Sequence, residues 1–308
     1  PHQRALALEE LTAHQLGLVK LKRQLSQRQA PVLMADQALI NTFHQNLGFS
    51  LTQAQRRVIE EINQDLGKPT PMLRLVQGDV GSGKTVVAAM AALVALTAGH
   101  QVALMAPTEI LAEQHNRSFS DWLTPLGLAP VLLTGSMKAR LKKQHLADLA
   151  SGSVRLLIGT HALFQEGVLF ERLGLIIIDE QHRFGVNQRM ALRDKGRNNL
   201  TTPHQLIMTA TPIPRTLTMT LYASMDCSVI DELPPGRSPV HTSVLANAKR
   251  EAVMRRLDAA CQAGAQAYWV CTLIEASEAL NAQAAEAVLA ELRAALPRRA
   301  IELIHGRM

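Results

Sequence analysis

The stretch Gly78-Asp-Val-Gly-Ser-Gly-Lys-Thr85 fits G-x-x-x-x-G-K-[ST] at every position. It lies between Leu73–Gln77, an apolar run that reads as a strand, and an Ala/Val-rich run from Lys84 that reads as a helix. A strand must end there, the backbone must turn its amides inward, and a helix must begin at once. That arrangement cradles phosphate. Glycines permit the turn, and the helix N-terminus presents unpaired N–H groups with a partial positive charge. Lys84 would reach the β/γ-phosphates and the Thr85 hydroxyl would ligate Mg²⁺. Gly78, Asp79, Val80, Gly81, Ser82, Gly83, Lys84 and Thr85 are therefore the expected binding loop for ATP with Mg²⁺. An ordinary glycine turn is the bland alternative, and the strand before and helix after argue against it.

The surrounding pattern is α/β. Candidate strands are Leu73–Gln77, Val102–Met105, Val131–Leu133, Arg155–Ile158, Leu175–Ile178, Gln205–Met208 and Ser228–Ile230. Most are continuous apolar runs, as parallel strands covered on both faces require. Helices are predicted between them at Lys84–Ala98, Ile110–Trp122 and Ala139–Ala150. The alternation means a parallel sheet in a doubly wound domain over residues 51–235. Val86–Leu96 reads as its buried core helix. Residues 1–50 read as a helical linker, with a helix at Ala5–Val19, a basic stretch from Lys20 to Arg28, and a second helix at Ala35–Asn46. The basic stretch is either a solvated helix face or a segment that touches phosphates. Pro234-Pro235-Gly236 marks a boundary. Beyond it, residues 236–308 offer a helix (Lys249–Gln262), a strand (Ala267–Cys271), a helix (Ser277–Leu296) and a strand (Ala300–Ile304). Two strands are too few for a sheet covered on both faces, so this reads as the opening of a truncated second α/β domain. A start at Pro1 rather than Met also reads as a fragment.

A second motif completes the chemistry. Leu175-Ile-Ile-Ile-Asp179-Glu180-Gln181-His182 is an apolar strand ending in two acids. Carboxyl ends of parallel strands line the ligand crevice. Asp179 is expected to hold Mg²⁺ through water, and Glu180 to orient and polarise the attacking water. His182 is either a satisfied loop histidine or a relay to a neighbouring motif. Thr209 and Thr211, in Met208-Thr-Ala-Thr-Pro212, follow another strand and would hydrogen-bond to the acidic pair, coupling nucleotide state to movement. Before the domain, Leu51-Thr52-x-x-Gln55 offers an amide that can pair with both donor and acceptor of an adenine edge, with Phe49 over the ring. Alternatively, Gln55 is a helix surface residue. Ala106–Glu109 and Gly159–His161 follow strands too, where hydroxyls and loop amides can touch phosphates without reading sequence.

Composition narrows the partners. A formal charge of +6 and a pI near 9.5 favour a polyanion. Aromatic residues at 3% argue against base-stacking platforms. Cys227, Cys261 and Cys271 have no metal or disulfide spacing, which points to a reducing, intracellular setting. No apolar run reaches the ~20 residues of a membrane span, and no signal peptide is visible.

The order Gln55, GDVGSGKT, APTEILAEQH, LLTG, GTHAL, IIIDEQHRFG and MTATPIPRTL resembles a superfamily-2 helicase core. More narrowly, DEQHRFG with Gln188-Arg189, then MTATPIPR, DELPPGR and QAYWVCTLIEASE, resembles the RecG-type branch-migrating DNA helicases over nearly all of residues 35–308. The resemblance implies a RecA-like P-loop domain over 51–235, a second RecA-like lobe begun at 236–308, and a cytoplasmic, monomeric motor. Its partner would be branched or double-stranded DNA at stalled forks and Holliday junctions, and the parent protein would contact single-strand-binding protein. It also implies coupling roles for Arg183, Gln188 and Arg189. Nothing here resembles the family's OB-fold wedge, and the second-lobe motifs, with their arginine finger, are not present. Such a finger is worth roughly 10³–10⁵-fold in rate, so this chain alone is expected to bind nucleotide and hydrolyse it poorly. The transcription-repair coupling translocase shares D-E-x-H-R-F-G and T-A-T-P-I-P-R-T and is the nearest alternative. An RNA helicase fits less well because D-E-A-D spelling is absent. A non-catalytic nucleotide-binding or scaffold module is the alternative from another class.

Overall fold

The computed structural model describes residues 28–165, 167–180, 201–211, 225–232, 240–271 and 278–304, together with 9–10, 12–13 and 16–17 near the N-terminus. The chain divides into two compact units, Pro1–Arg237 and Ser238–Met308.

The first unit is built on seven strands: β1 (Leu73–Gly78), β2 (Gln101–Met105), β3 (Val131–Leu133), β4 (Leu156–Gly159), β5 (Leu173–Asp179), β6 (His204–Thr209) and β7 (Asp226–Ile230). They form one sheet in the order β3-β4-β2-β5-β6-β1-β7. Every pair is parallel. All seven expected strands form, displaced by at most a few residues. Two-residue alternation sorts their side chains. Leu175 and Ile177 of β5 enter one core, while Ile176 and Ile178 enter the other.

The first core receives α1 (Gln37–Asn46), α2 (Gln53–Leu66), α3 (Lys84–Thr97) and α4 (Glu109–Leu123). The second is closed in part by α5 (Ala139–Ala150), through Leu149, and by the short turn His161–Phe164. α3 is buried from Val86 to Leu96, as its apolar run required. Close packing of the strand ends demands one glycine: a Cβ on Gly159 would lie 2.4 Å from the Leu133 carbonyl oxygen. Among the described residues, no helix is long and apolar enough to cross a membrane.

α2 was not delineated in the sequence, yet it is heavily anchored. Thr52 and Gln55 form a capping box at its start. Glu232, just after β7, accepts from the Ala54 amide at 3.1 Å. Arg57 donates to the Val229 carbonyl and to Asp231 at 3.0 and 2.7 Å. At its far end, Asp65 takes both Nε and Nη2 of Arg74 from β1 at 2.9 and 2.7 Å. Arg74 Nη1 also reaches Glu61 and Ser228, so α2, β1 and β7 share one polar network.

The second unit pairs α6 (Arg250–Gln262) with α7 (Glu278–Ala295). Met254, Leu292 and Leu296 are buried between them. Arg250 holds Glu291 with two bonds of 2.8 Å. Its guanidinium also lies 4.8 Å from the centroid of the Trp269 ring. The two expected strands, Ala267–Cys271 and Ala300–Ile304, do not form. Trp269 and Ile301 pack against the small core, while Val270 and Ile304 stay open to solvent at 77% and 86% exposure. A ladder of two short strands has no cover on either face, and the helical pairing alone does not supply one. The boundary Pro234–Gly236, the 1–27 linker apart from three residue pairs, and the closing His305–Met308 lie outside the described residues.

His204 joins the linker to the sheet. Its Nδ1 accepts from the Met72 amide at 3.0 Å and its Nε2–H donates to the Pro31 carbonyl at 2.7 Å. Burial holds its pKa below the ordinary histidine value, outweighing the Pro31 bond and the Asp65 charge. The unfolded chain therefore binds this proton near pH 6.5 while the folded chain resists it, so stability falls as pH drops below about 6.5. The urea midpoint is expected to fall between pH 7.5 and 5.5. His204→Asn should cost about 2 kcal/mol at pH 7.5 by stranding two backbone groups, and should flatten that dependence. A midpoint that rises on acidification would contradict this.

Candidate active site and nucleic-acid face

Register places the two candidate motifs. Asp179 on β5 pairs with Met208 on β6, and Met208 pairs with Val76 on β1. The carboxyl ends of β1 and β5 thus open to the same side, two strand spacings or about 10 Å apart.

The loop after β1 is shaped for an anion. Gly81 and Gly83 sit at φ +79° and +88°, backbone that favours glycine. Gly83 caps α3 with no side-chain hydrogen bond, so no side chain competes for the first-turn amides. A Cβ at Gly83 would stand 2.2 Å from Gln55 Nε2. Asp79, Val80 and Gly81 form the exposed rim, and the Asp79 carboxylate accepts from the Val80 amide at 2.7 Å. Ser82 is buried, with no hydrogen-bond partner for its Oγ among the described residues. Lys84 folds back onto its own loop, donating to the carbonyls of Gly78 and Asp79 at 2.7 and 2.9 Å. Burial lowers its pKa, opposed by the charges of Asp179, Glu180 and Asp79. That field brings the loop lysine and the acidic strand end into one electrostatic site. Thr85, half-buried, follows on the first turn of α3.

Gln55 is not a surface residue; it is 2% exposed. Its Oε1 accepts from the Thr52 amide at 2.9 Å, and its Nε2 donates to the Ser82 carbonyl at 2.8 Å. The amide is a strut from the α2 cap to the phosphate loop. Phe49 is 48% exposed and meets Trp122 of α4 edge-on at 6.4 Å.

Glu180 has φ +50°, an uncommon backbone for a residue with a side chain. Its amide donates to the Met208 carbonyl at 3.0 Å. The Ala210 amide donates to its Oε1 at 3.1 Å, and Thr209 Oγ1 lies 3.5 Å from its Oε2. Thr211 acts through its backbone: its N–H donates to Thr209 Oγ1 at 3.2 Å and its carbonyl accepts from Gln77 at 3.3 Å. Of the two threonines expected to meet the acidic pair, Thr209 reaches Glu180, while Thr211 bonds Thr209 and Gln77 through its backbone. Asp179 is buried, with His115 Nε2 at 2.7 Å from its Oδ2. His182, Arg183, Gln188 and Arg189 lie outside the described residues.

Three further loops leave the neighbouring half of the sheet, after β2, β3 and β4. Glu109 ties two of them together. It accepts from the Gly135 and Ser136 amides at 2.9 and 3.3 Å and from Ser136 Oγ at 2.8 Å. The Ser136 hydroxyl foremost, then these amides and the His161 charge, hold its pKa down. Thr108 caps α4, and Thr160 Oγ1 is buried without a partner among the described residues. The candidate nucleotide site and the candidate backbone contacts therefore occupy adjacent halves of one edge.

Sequence reasoning missed His115, Glu232, Asp231 and the Arg74 network. A T-x-x-Q capping box was visible and would have tied Gln55 to a helix start. The others depend on contacts between distant segments, which local pattern does not encode.

Known proteins share this sequence and fold. Curated relatives named ATP-dependent DNA helicase RecG match the whole chain, at 55% identity in Escherichia coli O157:H7 and 54% in Haemophilus influenzae, and the chain spans 45% of each. A RecG from Aquifex aeolicus is 44% identical, with 38% of it covered. A solved RecG bound to a three-way DNA junction superposes with a TM-score of 0.82 at 36% identity, over 95% of this chain and 38% of that one. The DEAD-box helicase Mss116 has a TM-score of 0.55 at 16% identity, over 77% of this chain and 54% of that one, a likeness of the RecA-like fold alone. Residues 52–220 match the model of the DEAD/DEAH box helicases, and the chain belongs to that family.

Proposed function

We propose that these residues are the nucleotide-binding lobe, with the start of a second lobe, of an ATP-dependent DNA translocase that remodels branched DNA such as stalled forks and Holliday junctions. The observation that carries the reading is the pairing, across β6, of an amide-lined loop bearing Lys84 with the Asp179–Glu180 strand end. The relatives' shared name and the junction-bound RecG support DNA as the track. The protein would work as a monomer in the cytoplasm.

Each residue has a role. Backbone amides of Asp79–Thr85 would cradle the β- and γ-phosphates. Lys84 would exchange the carbonyls of Gly78 and Asp79 for phosphate oxygens. The Thr85 hydroxyl and the Asp179 carboxylate are hard oxygen donors suited to Mg²⁺, and an ion that keeps several waters and phosphate ligands needs few protein groups. Consistently, the described residues hold no cluster of three or more metal-ligating His, Cys, Asp or Glu. When bound, Mg²⁺ would offset charge on the phosphate oxygens. Glu180 would orient and polarise the attacking water, its carboxylate held by Thr209 and Ala210. Gln55, whose amide is engaged by Thr52 and Ser82, would seat the loop, and Phe49 would cover the adenine. Arg183, Gln188, Arg189, Thr209 and Thr211 would pass the nucleotide state onward. The loops at Ala106–Glu109, Thr134–Ser136 and Gly159–His161 would grip the sugar–phosphate backbone.

Three outcomes are expected. Lys84→Ala should lower ATP affinity at least about tenfold in a fluorescence titration, through loss of a charge-assisted contact. Glu180→Gln should keep binding but cut DNA-stimulated hydrolysis about 10²–10⁴-fold in the parent-length protein. Affinity for forked duplex DNA should fall about 10³-fold between 50 and 200 mM salt if some six phosphates are contacted, with little dependence on base sequence. Full ATPase activity in Lys84→Ala would overturn the motor reading.

A further inference from the structure

α4 carries one buried polar residue for which the scheme above has no use. His115 is 6% exposed, and its Nε2 lies 2.7 Å from Oδ2 of Asp179, itself 8% exposed. A carboxylate accepts, so the ring proton sits on Nε2 and is donated to Asp179. On the other side of the ring, Nδ1 is buried and has no hydrogen-bond partner among the described residues. The ring packs edge-on against Phe119 at 6.5 Å and 88°. An apolar side chain of similar size would fill this volume without stranding a nitrogen, and such orphans are uncommon enough to need a reason. The reason available here is the bond at Nε2.

We propose that His115 is a positioning residue for the metal-binding carboxylate: by donating to Oδ2 it holds Asp179 in one orientation. The proposal rests on the assignment of Asp179 to Mg²⁺ given above. Donors behind a metal-binding side chain commonly change metal affinity by 10–100-fold when removed, because the ligand then samples other rotamers. The bond has a structural corollary. α4 starts at the loop after β2 and Glu109 fastens that loop to Gly135 and Ser136, so the same helix reaches from the candidate backbone-contact loops to Asp179.

The test is equilibrium binding of a fluorescent, non-hydrolysable ATP analogue to this chain, titrated with Mg²⁺ and repeated in EDTA. His115→Leu is expected to raise the half-maximal Mg²⁺ concentration about tenfold while affinity in EDTA stays within about twofold. In His115→Gln the amide nitrogen reaches the position of Nε2, and the Mg²⁺ midpoint should return close to that of the wild type. In His115→Asn the amide stops short, so this variant should behave like Leu and serves where the leucine variant unfolds. The proposal is overturned if Leu and Asn leave the Mg²⁺ midpoint unchanged, if the loss is equal with Mg²⁺ and in EDTA, or if Gln is as impaired as Leu. A wild-type chain that bound no analogue would overturn the nucleotide reading itself, and this proposal with it. A wild-type chain that bound normally and ignored His115 would overturn the proposal alone.

Discussion

Two strand spacings separate the end of β1 from the end of β5, and the rest of the site is organised by that interval. One strand spacing would press the loop lysine against the carboxylates. Three would leave a gap that a lysine side chain and a phosphate cannot bridge. The parallel ladder β1-β6-β5 fixes the interval through registered backbone bonds that no single side chain can alter. The intervening strand is not a passive spacer. Its end supplies Thr209 and Ala210, which hold the carboxylate of Glu180. Where β5 runs out, the positive φ of Glu180 turns the chain as its amide bonds the Met208 carbonyl, a local strain maintained by the surrounding ladder.

The loop itself is held from below. Gln55 bonds the Ser82 carbonyl, and the absence of a Cβ on Gly83 is what lets that amide approach. α2, which carries Gln55, is in turn tied to β7 through Glu232 and Asp231 and to β1 through Arg74. A displacement at the end of β7 therefore has a short covalent and hydrogen-bonded route to the phosphate loop: Glu232 to Ala54, then Gln55 to Ser82. Arg57 and Asp231 are both substantially exposed, so their ion pair adds little energy. Arg74 and Asp65 are about nine-tenths buried, and loss of either would remove the best-shielded ion pair of the network, leaving Asp65 to Lys68 alone or Arg74 to Glu61 alone.

Much of this was legible in the chain. Strands buried on both faces must be apolar throughout, so all seven could be read directly, and a motif with eight positions fixed the nucleotide loop. The acidic pair was legible because it ends such a strand. Side-chain partners were not. Gln55 reads equally as a surface residue or a base reader until Ser82 is placed beside it. His115 lies within a motif string, yet its partner is 64 residues away in sequence. Ala267–Cys271 and Ala300–Ile304 have strand composition, but composition does not supply the neighbours a strand needs.

A crystal structure of this chain with Mg²⁺ and a non-hydrolysable ATP analogue tests the central claim most directly. The account predicts that Lys84 Nζ leaves the carbonyls of Gly78 and Asp79 for phosphate oxygens. Asp179 should reach the ion through water, and the Gln55–Ser82 bond should persist. A triphosphate seated elsewhere, or a Lys84 that keeps its loop carbonyls with nucleotide bound, would contradict it.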